Sequence, residues 1–108
     1  MPNNALLSKL DDVMDRNTPT TGGSMVKDVS SQICTLASAN ALDELMVLKA
    51  ADHHIESGVA YGMEGIADGS RTWLITRSKP LKWSQSVFII VEPSGKCNAT
   101  VRFEPFGA

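Results

Sequence analysis

The sequence predicts an α+β fold with two or three N-terminal helices packed on one face of a four-stranded antiparallel β-meander. In the first half of the chain, apolar residues recur three and four positions apart, the spacing of an amphipathic helix. The second half contains short runs rich in β-branched residues, separated by turn residues. A length of 108 residues suits one core, so residues 1–108 are expected to form a single domain.

The first predicted helix lies within residues 1–16. Apolar side chains in residues 4–16 form one stripe, and Asn3 or Asn4 can cap the first turn by accepting a hydrogen bond from a free backbone N–H group. Residues 17–24 contain Pro19 and a glycine pair, which interrupt a helix, so we interpret them as a linker.

A second helical segment is predicted over residues 25–57, because apolar residues again recur at helical spacing. The segment forms either one helix bent near its middle or two helices, 25–38 and 41–57. The residue types suited to the ends of the second helix are the N-terminal caps Ser38 and Asn40 and the C-terminal stop Gly58.

Residues 59–104 are predicted to form the four strands. Their predicted bounds are 59–66, 71–78, 85–92 and 97–104. The Asp68-Gly69 pair favours a tight type I′ hairpin turn, because both central residues of that turn need a positive φ. In the last strand, period-two alternation places Cys97, Ala99, Val101 and Phe103 on one face and polar residues on the other.

The third predicted strand is apolar on both faces, and this has a consequence for assembly. Helices can cover only one face of the sheet, so the other face binds a partner or leaves an apolar patch exposed. We therefore expect a homodimer formed through the sheet or its edge. The strand register stays open, because a one-residue shift exchanges the two sets of residues that could face the helices, Val87, Ile89 and Val91 or Phe88 and Ile90.

The distribution of charge is uneven along the chain. Residues 1–68 contain ten acidic and four basic side chains, whereas residues 69–108 contain six basic and two acidic ones. A basic half can bind an anionic or acidic partner, or it can pair with the acidic half of the same chain. The residues predicted to bind such a partner are Arg71, Trp73, Arg77, Lys79, Lys82 and Trp83.

This basic and aromatic stretch supports two related hypotheses. The leading one is a small non-catalytic binding protein, such as an adaptor, an inhibitor or a carrier of a small anionic ligand. The alternative is a nucleic-acid-binding protein that uses the same face, since arginine and lysine attract phosphates and indole rings stack on bases. In a third interpretation, the basic side chains pair with the helices and Trp73 fills the core.

The histidines suggest an enzyme as another alternative, with a site assembled from scattered residues. The candidate catalytic residues are Asp52, His53 and His54. Successive residues of a helix project about 100° apart, so the two histidines would not converge on one metal ion if they lay at a helix end. We expect no metal and no cofactor.

Cys34 and Cys97 are predicted to be two separate buried thiols, because two distant cysteines do not form a disulfide framework. No basic segment followed by an apolar one resembles a signal peptide. No apolar run reaches the roughly 20 residues that a membrane span needs. We therefore expect a cytoplasmic protein that does not enter a membrane.

Overall fold

Five antiparallel strands form one sheet, and the helices pack on one of its faces. The elements are α1 (Ala5–Arg16), β1 (Met25–Asp28), α2 (Ser30–Ile33), α3 (Ala39–Leu48), β2 (His53–Ala60), β3 (Ser70–Arg77), β4 (Trp83–Val91) and β5 (Cys97–Pro105). The strand order is β1-β5-β4-β3-β2, so β1 and β2 lie at the edges. The computed structural model describes residues 5–19, 23–48, 52–77 and 83–105, and these confirm an α+β fold.

The predicted helix 25–38 is wrong, and its first residues form a fifth strand. Strand β1 pairs antiparallel with β5, and Met25 lies opposite Phe103. The Asp28 carboxylate accepts a hydrogen bond from the backbone N–H of Ser30 at 2.8 Å, so a short helix begins only there. Backbone pairing with β5 outweighed the helical spacing. The paired residues are 72 to 78 positions apart in sequence, as Asp28–Thr100 and Met25–Phe103 show, so local patterns do not reveal the pairing.

The predicted helix 41–57 is too long, because α3 ends at Leu48 and β2 begins at His53. Gly58 is therefore a strand residue and not a helix stop. The side chains of β2 alternate between the two faces of the sheet. Those of His53 and Ile55 lie on the helix side, and that of His54 lies on the opposite side.

The first predicted strand, 59–66, is also wrong over most of its length. Residues 61–69 form a nine-residue loop between β2 and β3. Gly62 and Gly65 have φ of +66° and +80°, a region that strands do not use and that favours glycine. The Asp68 carboxylate accepts a hydrogen bond from the Gly62 N–H at 2.8 Å, which closes the loop in place of the predicted tight turn.

Other predicted elements are confirmed. Ser38 caps α3, because its Oγ accepts a hydrogen bond from the Ala41 N–H at 3.1 Å. The meander of β3, β4 and β5 forms, and Val87 and Ile89 lie on the helix side with Phe88 on the other. The predicted caps Asn3 and Asn4 lie outside the described residues, as does part of the predicted linker.

The core lies between the helices and the inner face of the sheet. Its large, fully buried side chains come from α1, α2, α3, β3 and β4: Leu6, Leu10, Met14, Ile33, Leu42, Leu45, Trp73, Ile75 and Ile89. Burial of this apolar surface is the main force that holds the helices on the sheet.

A disulfide joins Cys34 to Cys97, so the prediction of two free thiols is wrong. Cys34 follows α2 and Cys97 begins β5, and their Cα atoms lie 5.8 Å apart. The two elements meet because Ser30 Oγ accepts a hydrogen bond from the Ala99 N–H at 2.9 Å. The disulfide therefore ties the helix layer to the sheet, a contact over 63 residues of sequence.

Candidate functional site

Arg77, a predicted partner-binding residue, is buried at the junction of α1 and the sheet. Its side chain is only 7% exposed. Its Nη2 atom lies 2.7 Å from Asp15 Oδ1 and donates to Gln85 Oε1 at 2.6 Å. A second nitrogen, Nη1, lies 3.5 Å from the Asp11 carboxylate. Both terminal nitrogens of this guanidinium therefore contact acceptors inside the protein, while its buried Nε has no hydrogen-bond partner among the described residues.

Gln85 extends the same polar junction to the end of α1. Its Nε2 donates to the backbone carbonyl of Met14 at 3.0 Å and to the hydroxyl of Thr18. That carbonyl belongs to the last turn of a helix, where backbone acceptors lack intrahelical partners. The buried Arg77 and Gln85 side chains therefore hold the C-terminal end of α1 against β3 and β4.

The two histidines lie on opposite faces of β2, because successive residues of a strand alternate. His53 is 6% exposed on the helix side, and its Nε2 lies 2.7 Å from Asp11 Oδ1. His54 is exposed on the other face, and its Nε2 lies 3.2 Å from Glu56 Oε1. Asp52, the third candidate catalytic residue, is exposed just before β2. The structure does not bring these three candidates together.

Arg71 and Trp73 also lie on the helix side of the sheet. Trp73 is fully buried in the core and offers no surface for base stacking. Arg71 Nη2 lies 2.9 Å from Asp43 Oδ1 of α3, and its Cζ lies 4.6 Å from the centroid of the Trp73 ring. Trp83 is half-buried with its ring centroid 5.8 Å from that of Phe103.

Lys79 and Lys82 lie outside the described residues, so the structure gives no contact for either. For the others, the interpretation that the basic half pairs with the acidic half is confirmed at Arg71 and Arg77. The remaining two arginines of the chain, Arg16 and Arg102, each lie within 3.0 Å of a carboxylate as well. Part of the uneven charge distribution, at Arg71 and Arg77, is therefore used in pairing within the protein.

The outer face of the sheet, opposite the helices, has a different chemistry. We call this surface the open face and define it by the outward residues of the three central strands, Thr72, Leu74, Thr76, Ser84, Ser86, Phe88, Ile90, Asn98, Thr100, Arg102 and Glu104. It carries both hydroxyl groups and apolar side chains. The two charged side chains of these strands, Arg102 and Glu104, pair with each other at 3.0 Å. Two further carboxylates lie on the same side of the sheet at its edges, Asp28 opposite Thr100 and Glu56 opposite Leu74.

A depression of about 450 Å³ lies on the open face where β1, β3, β4 and β5 meet. Leu74 lies directly opposite Phe88 in the register, and Phe88 lies opposite Thr100, so these side chains form one row across the sheet. The lining is completed by side chains of the adjacent row and the sheet edge, Val26, Ser86, Arg102 and Glu104. The result is an apolar floor with hydroxyl groups and one ion pair around it.

Part of this surface could be expected from the sequence. Alternation in β5 assigns Thr100, Arg102 and Glu104 to the face away from the core. The contribution of β1 was missed, because Val26 was assigned to a helix. No local signal shows that residues 25–28 complete the sheet beside β5.

Among the described residues, no three histidine, cysteine or carboxylate side chains are grouped to hold a metal ion. None of the helices in this part of the chain has the length and apolar character that crossing a membrane requires. Comparisons with protein-family models, curated proteins and solved structures find no match to this chain. The function must therefore be argued from the surfaces themselves.

Proposed function

We propose that this protein is a non-catalytic binding protein, and that it holds a segment of a partner protein against the open face. The observation that carries the proposal is the row of Leu74, Phe88 and Thr100 across the floor of the depression. An apolar floor bordered by hydrogen-bonding groups is the arrangement found at the centre of protein interfaces.

The shape of the site favours a protein segment over a small molecule. A small-molecule site encloses most of its ligand in a concave pocket. The depression lies on the surface of a sheet, and its lining includes short side chains such as Ser86 that do not enclose a ligand. A protein segment laid across the strands gains contact along the whole row instead.

The charges of the open face disfavour a polyanion. Arg102 is paired with Glu104, and the other three arginines are paired on the helix side or on α1. A nucleic-acid surface needs several cations free to replace counterions along the phosphate backbone. The exposed carboxylates of Asp28 and Glu56, on the same side of the sheet, also disfavour an anionic partner. The proposed partner segment therefore lacks negative charge, with an apolar side chain for the floor and polar groups for the hydroxyls.

The contacts of the described residues give no support to an enzyme with a site at His53 and His54, since these side chains lie on opposite faces. For the location of the protein, the Cys34–Cys97 disulfide favours an oxidising compartment over the cytoplasm that we expected. Disulfides persist where thiols are not kept reduced.

The test begins with a library of random peptides displayed on phage and selected on the immobilised protein. Enriched peptides are expected to contain an apolar or aromatic residue between polar ones. Phe88→Lys should weaken their binding by about tenfold or more, because it places a charge in the apolar floor. Arg102→Glu should also weaken it, and this exposed position is expected to leave the fold intact.

Val47→Lys is the matched control, because it introduces the same charge at an exposed valine of α3, on the helix side. Binding that survives both open-face substitutions, or that Val47→Lys removes, would contradict the proposal. The nucleic-acid alternative predicts a saturable, salt-sensitive change in tryptophan fluorescence with a single-stranded oligonucleotide. We expect no such change, because Trp73 is fully buried, Trp83 is half-buried against Phe103, and the arginines of β3 are paired with carboxylates.

A further inference from the structure

The two edges of the sheet differ in how well they are protected from pairing with another strand. The edge strand β1 has four residues and carries Lys27 and Asp28. Short edge strands and charged side chains, lysine above all, discourage pairing with another chain. The edge strand β2 has eight residues and contains neither lysine nor proline.

Strand β2 also carries exposed apolar surface. Within the described residues, its outer edge pairs with no other strand. Val59 is 49% exposed, and Tyr61 and Met63 of the following loop are exposed as well. An unprotected strand edge beside apolar side chains is a template for strand addition.

We propose that two copies of this chain form a homodimer in which the outer edges of β2 pair antiparallel about a twofold axis at Ser57. The axis is perpendicular to the sheet, so the two sheets join into one sheet of ten strands with all helices on the same side. This proposal concerns the edge of the sheet and does not depend on the function of the open face.

The register follows from symmetry and charge. Residues directly opposite each other in an antiparallel pair lie on the same face, so the twofold axis must pass through a residue position. An axis at Glu56 would place two like-charged carboxylates opposite each other, which is destabilising. An axis at Ile55 would pair only the first five residues of the strand, 53–57, and would leave Val59 without a strand partner.

With Glu56 excluded, an axis at Ser57 pairs more residues of the strand than an axis at Ile55 or Gly58. Residues 54–60 then pair with their equivalents, and Val59 of each copy lies opposite Ile55 of the other on the helix side. In each copy, α1 covers the His53 end of β2. In the dimer, this end lies beside the other end of β2 in the second copy, which α1 does not cover. The helix layers of the two copies are therefore offset diagonally, and exposed apolar surface is buried at both ends of the interface.

Two exposed edge valines provide a matched pair of variants. Val59 lies on β2 and Val26, 59% exposed, lies on β1. In size-exclusion chromatography with light scattering over a range of concentrations, the unmodified protein is expected to reach twice its 11.6 kDa mass. Val59→Lys should remain at 11.6 kDa, and Val26→Lys should dimerise like the unmodified protein.

A cross-linking experiment tests the axis itself. Residues directly opposite each other across antiparallel strands have Cβ atoms about 5 Å apart, close enough for a disulfide after small adjustments. Ser57→Cys should therefore give a covalent dimer on a non-reducing gel under mild oxidation, whereas Val26→Cys should not. Circular dichroism confirms that each variant is folded.

Three results would overturn the proposal. The first is a monomer at every concentration together with no Ser57→Cys cross-link. The second is a dimer that Val26→Lys disrupts and Val59→Lys does not, which would assign the interface to β1. The third is a dimer that survives Val59→Lys and is lost in Phe88→Lys, which would assign it to the open face.

Discussion

Removal of the Cys34–Cys97 disulfide is expected to be among the largest single perturbations of this fold. The variant with both cysteines replaced by alanine keeps the small apolar character of the two positions. It removes only the covalent link between the end of α2 and the start of β5. Since both side chains pack beside the core and are not exposed, the contacts around them should change little.

The magnitude follows from the length of chain that the disulfide closes. The cysteines are separated by 63 residues, and closing a loop of this length lowers the entropy of the unfolded chain. The chain-entropy relation converts that length into about 4 kcal/mol at 25 °C. The whole stability of a domain of this size is about 5–15 kcal/mol, so the variant should lose a large share of it.

Urea unfolding measures this difference, and Trp73 is a suitable fluorescence probe because it is fully buried in the native state. The midpoint should fall strongly in the variant. Adding reductant to the unmodified protein should lower the midpoint to the same value, whereas reductant should have no effect on the variant. This second comparison separates the covalent link from the side-chain replacement.

Two results would refute the reasoning. Intact mass spectrometry after alkylation could show two free thiols in protein purified without reductant, in which case the disulfide does not form. Alternatively, the oxidised and reduced proteins could unfold with free energies that differ by less than about 1 kcal/mol, well below the chain-entropy value. The loop closed by the cysteines would then already be compact in the unfolded state.

Two further predictions concern charges. In the double variant Asp11→Asn, Asp15→Asn, Arg77 would stay buried without a carboxylate partner. The free energy of unfolding should therefore fall by about 3 kcal/mol. A loss below about 1 kcal/mol in urea unfolding would show that the guanidinium reaches water. The hydrogen bond from the Ser30 backbone N–H holds the pKa of Asp28 below its usual value, with smaller contributions from the side chains of Ser30 and Asn98. The ionised Asp28 should therefore stabilise the fold at pH values above its unfolded-state pKa, and this stabilisation should disappear as the pH falls through the lower pKa of the folded state. An NMR titration of the Asp28 carboxyl carbon that gives an ordinary pKa would contradict this.

Strands β3, β4 and β5 could be predicted because their signals are local. Each contains β-branched residues and has turn residues on at least one side. Gly95, between β4 and β5, has a positive φ of +94°, which favours glycine. Strands β1 and β2 could not, since their residues fit a helical stripe almost as well. These segments are strands because their backbones pair with residues elsewhere in the chain: Met25 with Phe103 and Ile55 with Ile75.

The candidate site shows a similar limit. Period-two alternation in the sequence of β3 is enough to place Arg71, Trp73 and Arg77 on one face of the strand, where the structure has them. It could not show whether that face meets solvent or the helices. The carboxylates that decide this, Asp43 and Asp15, are 28 and 62 residues away in sequence.

The pairing of Arg71 and Arg77 with carboxylates inside the protein limits the classes of partner that the protein can bind. Because the arginines of β3 hold the acidic helices on the inner face, the outer face is left with Arg102 as its one arginine, paired with Glu104, and is rich in hydroxyl groups. Pairing two copies through β2 would place two such faces side by side on one continuous sheet. Each face alone offers one short apolar row, whereas two joined faces would bind a bivalent partner far more tightly than either face does alone. A bivalent partner, carrying two such segments, that binds Val59→Lys and the unmodified protein with equal strength would therefore show that the two surfaces act separately.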